Sequence, residues 1–484
     1  MADINLGVGG ANSATGGYDI ANSLKLESDN TERVNKPAGT ISGAGNRRTF
    51  TISFWTKRTE INGVKQYLFE AGNSDSNTDR FTLRFGTGDT FDIQSQSTWL
   101  VTNRVFRDTS AWYHFVIKVD TTDGTAANRI KLYVNGVEET SFSIDNRSSI
   151  NQNHDFPVNN TEDHIIGNSQ IEGSQYYNGY IAEWIQLDGT AAAPTSFGEF
   201  DDDSGIWKPK DPSALSFGTN GFWLDFEDSS NLGNDASGGT DFTLTNITST
   251  DQATDTPTNN FATGNPLVYF SNPTFNTFNA LTEGATKLTK GANGWETLSS
   301  TIAVTSGKWY MEFQNIIMPE SAMASVFPAD IEFIGAGGQI NNFAGKVSGD
   351  GGISYYSYDG NIFYNASNTS YGSAWANETN TMAIALDMDN GKVYFARANV
   401  WQNSGDPTSG ATGTGAINLI EPSKPHMMGY AVYANNTSGA VNFGGYTPSS
   451  ISSAASDANG YGNFEYAPPS GYYALCTKNL AEFG

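Results

Sequence analysis

Alternation constrains this chain more than any other feature in it. WYHFVIKVD, a polar loop and RIKLYVNGVEE run from Trp112 to Glu139, and TMAIALDMDNGKVYFARANV runs from Thr381 to Val400. In both, apolar side chains recur at every second residue, which in an extended chain sends them to one face. In the second run Asn390-Gly391 sits between alternating halves, the signature of a two-residue type I′ turn with φ > 0 at both positions. Folding there sets Asp389 opposite Lys392, Met388 opposite Val393 and Leu386 opposite Phe395. Met382, Ile384, Leu386, Met388, Val393 and Phe395 then share one face, and Ala383, Ala385, Asp387 and Tyr394 take the other. A one-residue slip would scatter that apolar set. In the first run Tyr113, Phe115, Ile117 and Val119 face inward and are answered by Ile130, Leu132 and Val134. His114, Lys118, Asp120, Arg129 and Lys131 then point to solvent, and Asn135-Gly136 opens the next turn. Two such hairpins, far apart in sequence, predict two β-sandwiches in tandem.

Length agrees. At 484 residues the chain exceeds the usual single core. It holds 52 glycines and only 16% charged residues, without long helical-spacing runs, which suits an all-β chain rich in turns. The net charge of −25 repels polyanions, so nucleic acid is not an expected partner. Cys476 is the only cysteine, which rules out an intrachain disulfide and a cysteine metal cluster and reads as a small buried hydrophobe. The N-terminus lacks the basic and apolar regions of a signal peptide, and no apolar run approaches the roughly 20 residues of a membrane span. The expectation is a chain made soluble in the cytoplasm, without membrane insertion.

Residues 1–19 are small and polar: either a disordered leader or an arm that orders against a partner. From 20 to 196 short strands follow closely, among them RTFTISFWTKR, QYLFEAG and GYIAEWIQLDG. Residues 197–268 read as a connector that packs against one or both sandwiches, because Phe222, Trp223 and Phe226 carry too much apolar surface to stay wet. The second sandwich spans 269–484.

Two family resemblances follow. FTISFWTKR, then WYHFVIKVD…IKLYVNGV, then GYIAEWIQLDGT resembles the laminin-G-like, concanavalin A-like lectin/glucanase fold. GKWYMEFQNI, GGISYYSYDGNIFYN, TMAIALDMDNGKVYFARANVW and PHMMGYAVYANNTSGAVNFGG resemble a SPRY domain. The first resemblance implies glycan or protein binding at edge loops, sometimes with calcium; the second implies loop-mediated binding without chemistry. The connector and the C-terminal EYAPPSGYYALCTKNLAEFG resemble segments of tailed-bacteriophage structural proteins.

The concanavalin-like fold also hosts glucanases, whose ExDxE strands aim paired carboxylates at one glycosidic bond. WLDFE supplies Asp225 and Glu227, but Trp223 stands where the nucleophile belongs. Glu183 and Asp188 fall on opposite strand faces. The four histidines form no close ligand pair, so zinc is not expected. Asp75 and Asp79 share a loop that could hold calcium, and Asp201, Asp202 and Asp203 share another, although Asp also simply makes turns. No other cofactor is expected. Sugar binding needs exposed rings beside amides, and the aromatics that qualify are Trp99, Tyr176 and Tyr177 in the first domain and Tyr356, Tyr358, Tyr371, Trp375 and Trp401 in the second. Core packing competes for each, and alternation in GISYYSYDG must bury some of its tyrosines.

The reading is therefore all-β: two tandem concanavalin A-like antiparallel sandwiches, or jelly rolls, joined by a packed connector. The expected function is a structural, non-enzymatic virion protein of a tailed phage, a tail fibre or other surface protein. Its expected partners are other virion proteins, further copies of itself and host-surface glycan. The alternatives are a capsid decoration or head-fibre protein and, in another class, a glycan-cleaving enzyme.

Overall fold

The computed structural model describes residues 17–72, 80–95, 98–270, 281–317, 321–331, 343–376 and 378–484. The loop with Asp75 and Asp79, the candidate calcium ligands, lies outside the described residues, as does the N-terminal stretch up to residue 16. Among the described residues the fold is all-β apart from short 3-10 turns and the helix Thr477–Phe483. Backbone contacts divide it into two units, one of residues 12–258 and one that takes in 259–484.

The first unit contains two eight-stranded sheets, antiparallel throughout. In one, Thr49–Arg58 lies between Tyr113–Asp120 and Gly179–Asp188; in the other, Arg80–Phe85 lies between Gln66–Gly72 and Thr90–Gln94. Their inner faces meet in one core, with Phe50, Ile52, Phe54, Phe115 and Ile117 from the first sheet and Phe69, Phe81, Leu83, Phe85 and Ile93 from the second. The alternation of the first hairpin produces this core: Phe115 pairs with Val134, Ile117 with Leu132 and Val119 with Ile130. Asn135 and Gly136 both take positive φ, 48° and 79°, and join Val134 to its partner Val137. The two-residue left-handed turn is made here.

The second unit contains a seven-stranded and a nine-stranded sheet around a second core. Its hairpin departs from the expected register. Leu386 pairs with Val393, Ile384 with Phe395 and Asp387 with Lys392, two residues away from the predicted pairing. Met388 to Gly391 form a four-residue turn, and only Gly391 has positive φ, at 61°. The cause is Asp387. Its fully buried carboxylate accepts from the Asn390 backbone N–H (3.0 Å) and side-chain amide (2.8 Å) and pairs with Lys308 Nζ at 3.0 Å, which closes the turn early. A two-residue shift leaves every side chain on its original face, so the apolar set stays together. A Cβ at Gly391 would sit 3.1 Å from Pro422 Cβ, and the positive φ disfavours a branched residue. Gly391→Val should cost the second unit about 1–3 kcal/mol. Hydrogen exchange read peptide by peptide checks this, with loss of protection expected in 281–484 and not in 20–258.

The stretch 197–268, expected as a connector packed against one or both sandwiches, divides between the two units at residue 258. Phe222–Leu224 pairs with Gly179–Asp188, Thr243–Thr245 with Arg33–Lys36, and Gln252–Ala253 with Ser23–Leu26. Phe222, Leu224, Phe226, Leu232 and Phe242 enter the first core. From Asn259 onward the chain belongs to the second unit, where Phe261 bridges Cys476 and Gly264–Phe270 pairs with Glu296–Ser300. Strands this short carry too few residues for alternation to show.

The same stretch covers the outer face of the first sheet. Val116, Ile185, Leu187 and Phe197 form an apolar layer there, with Leu215, Phe217 and Trp223 packed against it. His114, expected in solvent, is 1% exposed as a result. Its ring stacks on Trp55 at 4.6 Å and lies 6.0 Å from Trp207.

Candidate binding site

Four of the eight aromatic candidates are core residues. Trp99 and Tyr177 pack in the first core, and Tyr371 and Trp375 in the second. The Tyr177 hydroxyl is used internally, against Thr56 Oγ1 (2.6 Å) and the Lys57 carbonyl (3.0 Å). Buried in the two cores, Trp99 from a strand and the other three from loops, these four rings are not open to stack on a ligand. Trp401 is half-buried against an outer-face cluster that contains Tyr394, 6.4 Å away between ring centroids. Tyr176 is half-buried in the loop before Gly179–Asp188.

Tyr356 and Tyr358 behave differently. Tyr355 enters the core, Tyr356 points outward, Ser357 is buried and Tyr358 is 65% exposed. The turn that presents Tyr358 is fixed at several points. Gly360 N–H donates to the Tyr356 carbonyl, Ser357 N–H to the Ala322 carbonyl, and Ala322 N–H to Ser357 Oγ. Gly360 has φ +74°, and a Cβ there would come within 2.3 Å of the Gly372 carbonyl oxygen. Only glycine fits this position.

Two rings missed in the sequence complete the group. Trp295 immediately precedes Glu296–Ser300, and Tyr433 immediately follows His426–Val432. These strands are neighbours, with Glu296 opposite Val432; Val432 in turn faces Ala322, and Met323 faces Tyr356. All four rings therefore gather at one end of the seven-stranded sheet. Successive centroids lie 5.5 Å apart from Tyr433 to Trp295, 6.2 Å from Trp295 to Tyr356, and 6.1 Å from Tyr356 to Tyr358. Phe343 and Phe363 support the row from below, together with Met323 and Ala431. Polar groups border it. Ser321 Oγ bonds the Tyr356 hydroxyl at 2.9 Å, Asn293 Oδ1 accepts from Asn435 N–H at 2.8 Å, and Asp359 holds Asn361.

The carboxylates in the first unit form a different arrangement. Phe222–Leu224 ends before Asp225, and Phe226 has φ +59°, so Asp225 and Glu227 do not share a strand face. Asp225 Oδ1 instead accepts the Glu227 N–H. Glu183 sits at a β-bulge, where pairing jumps from Ala182–Trp55 to Ile185–Ser53, and takes φ +50°. The bulge turns Trp184 into the core against Phe54 and leaves Glu183 on the outer face. There its carboxyl accepts from the Tyr18 hydroxyl (2.9 Å) and Trp223 Nε1 (2.7 Å). Burial first, then the charges of Asp225 and Glu227, push it up to about 8, so it carries a proton at neutral pH. Only 4% exposed, it lies beneath its two donors. Asp188 is spent elsewhere, on the backbone N–H groups of Asn46 and Asn220.

Ser53 Oγ lies 2.8 Å from His114 Nε2, a spacing that invites comparison with a nucleophile and its base. The tautomer argues otherwise. Trp207 Nε1 can only donate, and it meets His114 Nδ1 at 2.9 Å. Nε2 must then carry the ring proton and donate it to Ser53, so the imidazole cannot take the serine's proton. Among the described residues no three His, Cys, Asp or Glu side chains converge as metal ligands.

The concanavalin A-like lectin/glucanases superfamily matches residues 29–185, which places a concanavalin A-like domain in the first unit. No curated protein matches the chain. Among solved structures, the SPRY domain of human HERC1 is similar over 33% of this chain and 89% of that one, at 15% identity and a TM-score of 0.26. A heptameric SAP-like pentraxin from Limulus polyphemus is similar over 36% and 80%, at 17% identity and a TM-score of 0.27. The TRIM65 PSpry domain is similar over 37% and 88%, at 9% identity and a TM-score of 0.26.

Proposed function

We propose that this chain is a structural, non-enzymatic protein of a tailed-phage virion, a tail fibre or other surface protein that binds host-surface glycan or neighbouring virion proteins. The supporting observation is the ring row Tyr433–Trp295–Tyr356–Tyr358, held partly exposed at a sheet end by a fixed turn. Rings held this way recognise a partner by stacking and need no reacting group. The carboxyl and serine–histidine groups of the first unit are taken up by internal bonds, which agrees with a binding role. The virion assignment rests on the phage-like connector and C-terminal sequences. Gold-labelled antibody against the chain, imaged on purified particles, tests it. Label at discrete particle sites is expected, and particles without label would refute the assignment; label on heads rather than tails would indicate a capsid decoration protein instead.

A further inference from the structure

We infer that the ring row of the second unit is a binding site for a neutral pyranose glycan, read along a chain of sugars and not at a single terminal residue. This rests on the binding role proposed above and commits it to one ligand class and one surface. The row is continuous, with neighbouring centroids 5.5–6.2 Å apart. Its rings are tilted against each other, with interplanar angles of 55°, 63° and 33°. A flat aromatic partner would seat on only one of them. The puckered faces of successive sugars, each turned relative to the last, can follow a tilted series.

The border supplies the second half of the recognition. A sugar hydroxyl is at once a donor and an acceptor, and the row is edged by groups of both kinds: the Tyr356 and Ser321 hydroxyls, the Asn293 and Asn435 amides, and the Asp359 carboxylate with Asn361. Charge selects among glycans. The chain carries −25, and Asp359 stands exposed beside Tyr358, so sulfated or uronic polymers are repelled. Lys346 lies over the Phe343 and Phe363 rings, 5.8 and 5.4 Å from their centroids, in the layer beneath the row and not at its border with Asp359. A protein partner would be expected to seek a deeper, more fully desolvated apolar centre than this polar-edged shelf offers.

The test uses the full chain against immobilised panels of neutral oligosaccharides (β-linked gluco-, manno- and chito-oligomers of increasing length) and of sulfated and uronic oligomers. Binding should appear in the neutral panel and strengthen with oligomer length. Tyr358→Ala should weaken it at least tenfold, and Trp295→Phe should also weaken it. Val400→Ala, an exposed apolar change on the other sheet, should leave it unchanged. Tyr358 is mostly solvent-exposed, so its loss is compatible with folding; an unaltered melting temperature confirms that the lost affinity is local. The proposal is overturned if no neutral oligomer binds, if only acidic oligomers bind, or if neutral binding survives Tyr358→Ala and Trp295→Phe. Because particle labelling is scored separately, labelled particles with no glycan binding would sink this site alone, whereas glycan binding by a chain absent from particles would sink the virion assignment alone.

Discussion

Asp255→Ala should destabilise the first unit by about 3–5 kcal/mol, the cost of leaving a buried charge without its partner. Lys57 Nζ and Asp255 Oδ2 are 2.7 Å apart, and the two side chains are 0% and 1% exposed. The second carboxylate oxygen accepts from Trp112 Nε1 at 3.1 Å. Truncation therefore takes the carboxylate away from a buried ammonium and from an indole N–H in one step. It also tests the placement of residues 197–258, since Asp255 lies in the stretch that a sequence reading assigns to a connector. The contrast is Asp155→Ala, which removes an exposed, solvent-screened pair with Arg48 that adds little to stability. Thermal unfolding measured on both variants should show a large loss for the first and almost none for the second. Equal effects would mean that residues 197–258 do not hold the first unit together. Converting both partners to apolar residues should recover part of the loss, because neither charge is then left alone.

His114, His164 and Glu183 together should stabilise the first unit most near pH 6.5, because between about pH 4.5 and 6.5 two histidines gain stability with rising pH against one carboxyl that loses it. Burial lowers His114 from 6.5 to about 3 and His164 from 6.5 to about 4. Both are neutral in the fold, since each ring has one nitrogen that accepts: His114 from Trp207, His164 from the Asn159 N–H. Their unfolded forms take up protons below about pH 6.5, so acid favours the unfolded chain progressively down to the folded values. Glu183 acts on the other flank. Its folded carboxyl keeps its proton up to about 8, whereas the unfolded one loses it near 4.5. The stability it lends is complete below pH 4.5 and lost as pH rises through about 8. Melting temperatures across the range should trace a dome; Glu183→Gln should flatten its alkaline side and His114→Gln its acid side. A dome whose alkaline flank survives Glu183→Gln would show that another group sets it.

How much of this was legible beforehand follows from where periodicity is strong. Phe115, Ile117, Val119, Ile130, Leu132 and Val134 alternate without a break, and they form the core as expected. The register of the Met382–Arg397 hairpin was not legible. A shift of two residues preserves both faces, so no hydrophobic pattern can detect it, and the deciding group is the buried Asp387 carboxylate. His114 followed the polar positions of its strand, but a second apolar layer from residues 197–223 covers that face. Only that layer's scattered aromatics, Phe197, Trp207, Phe217 and Trp223, hinted at it.

The ring row divides in the same way. Tyr356 and Tyr358 could be named because GISYYSYDG alternates into a turn. Trp295 and Tyr433 lie 138 positions apart in sequence, each just beyond a strand end, and strand pairing alone brings them together. A signal did exist: single large aromatics beside Gly and Asn in GANGW and YANN, where no core position calls for them. Trp99 lies in a strand, but Tyr177, Tyr371 and Trp375 enter the cores from loops, where no periodicity shows which way a ring turns.

Binding without cleavage is the central claim, and one measurement bears on it most directly: release of new reducing ends when the full chain is incubated with the neutral oligosaccharides it binds. The account predicts no release above that of a heat-denatured control. Release that Asp225→Ala combined with Glu227→Ala abolishes, while binding at the ring row persists, would contradict it.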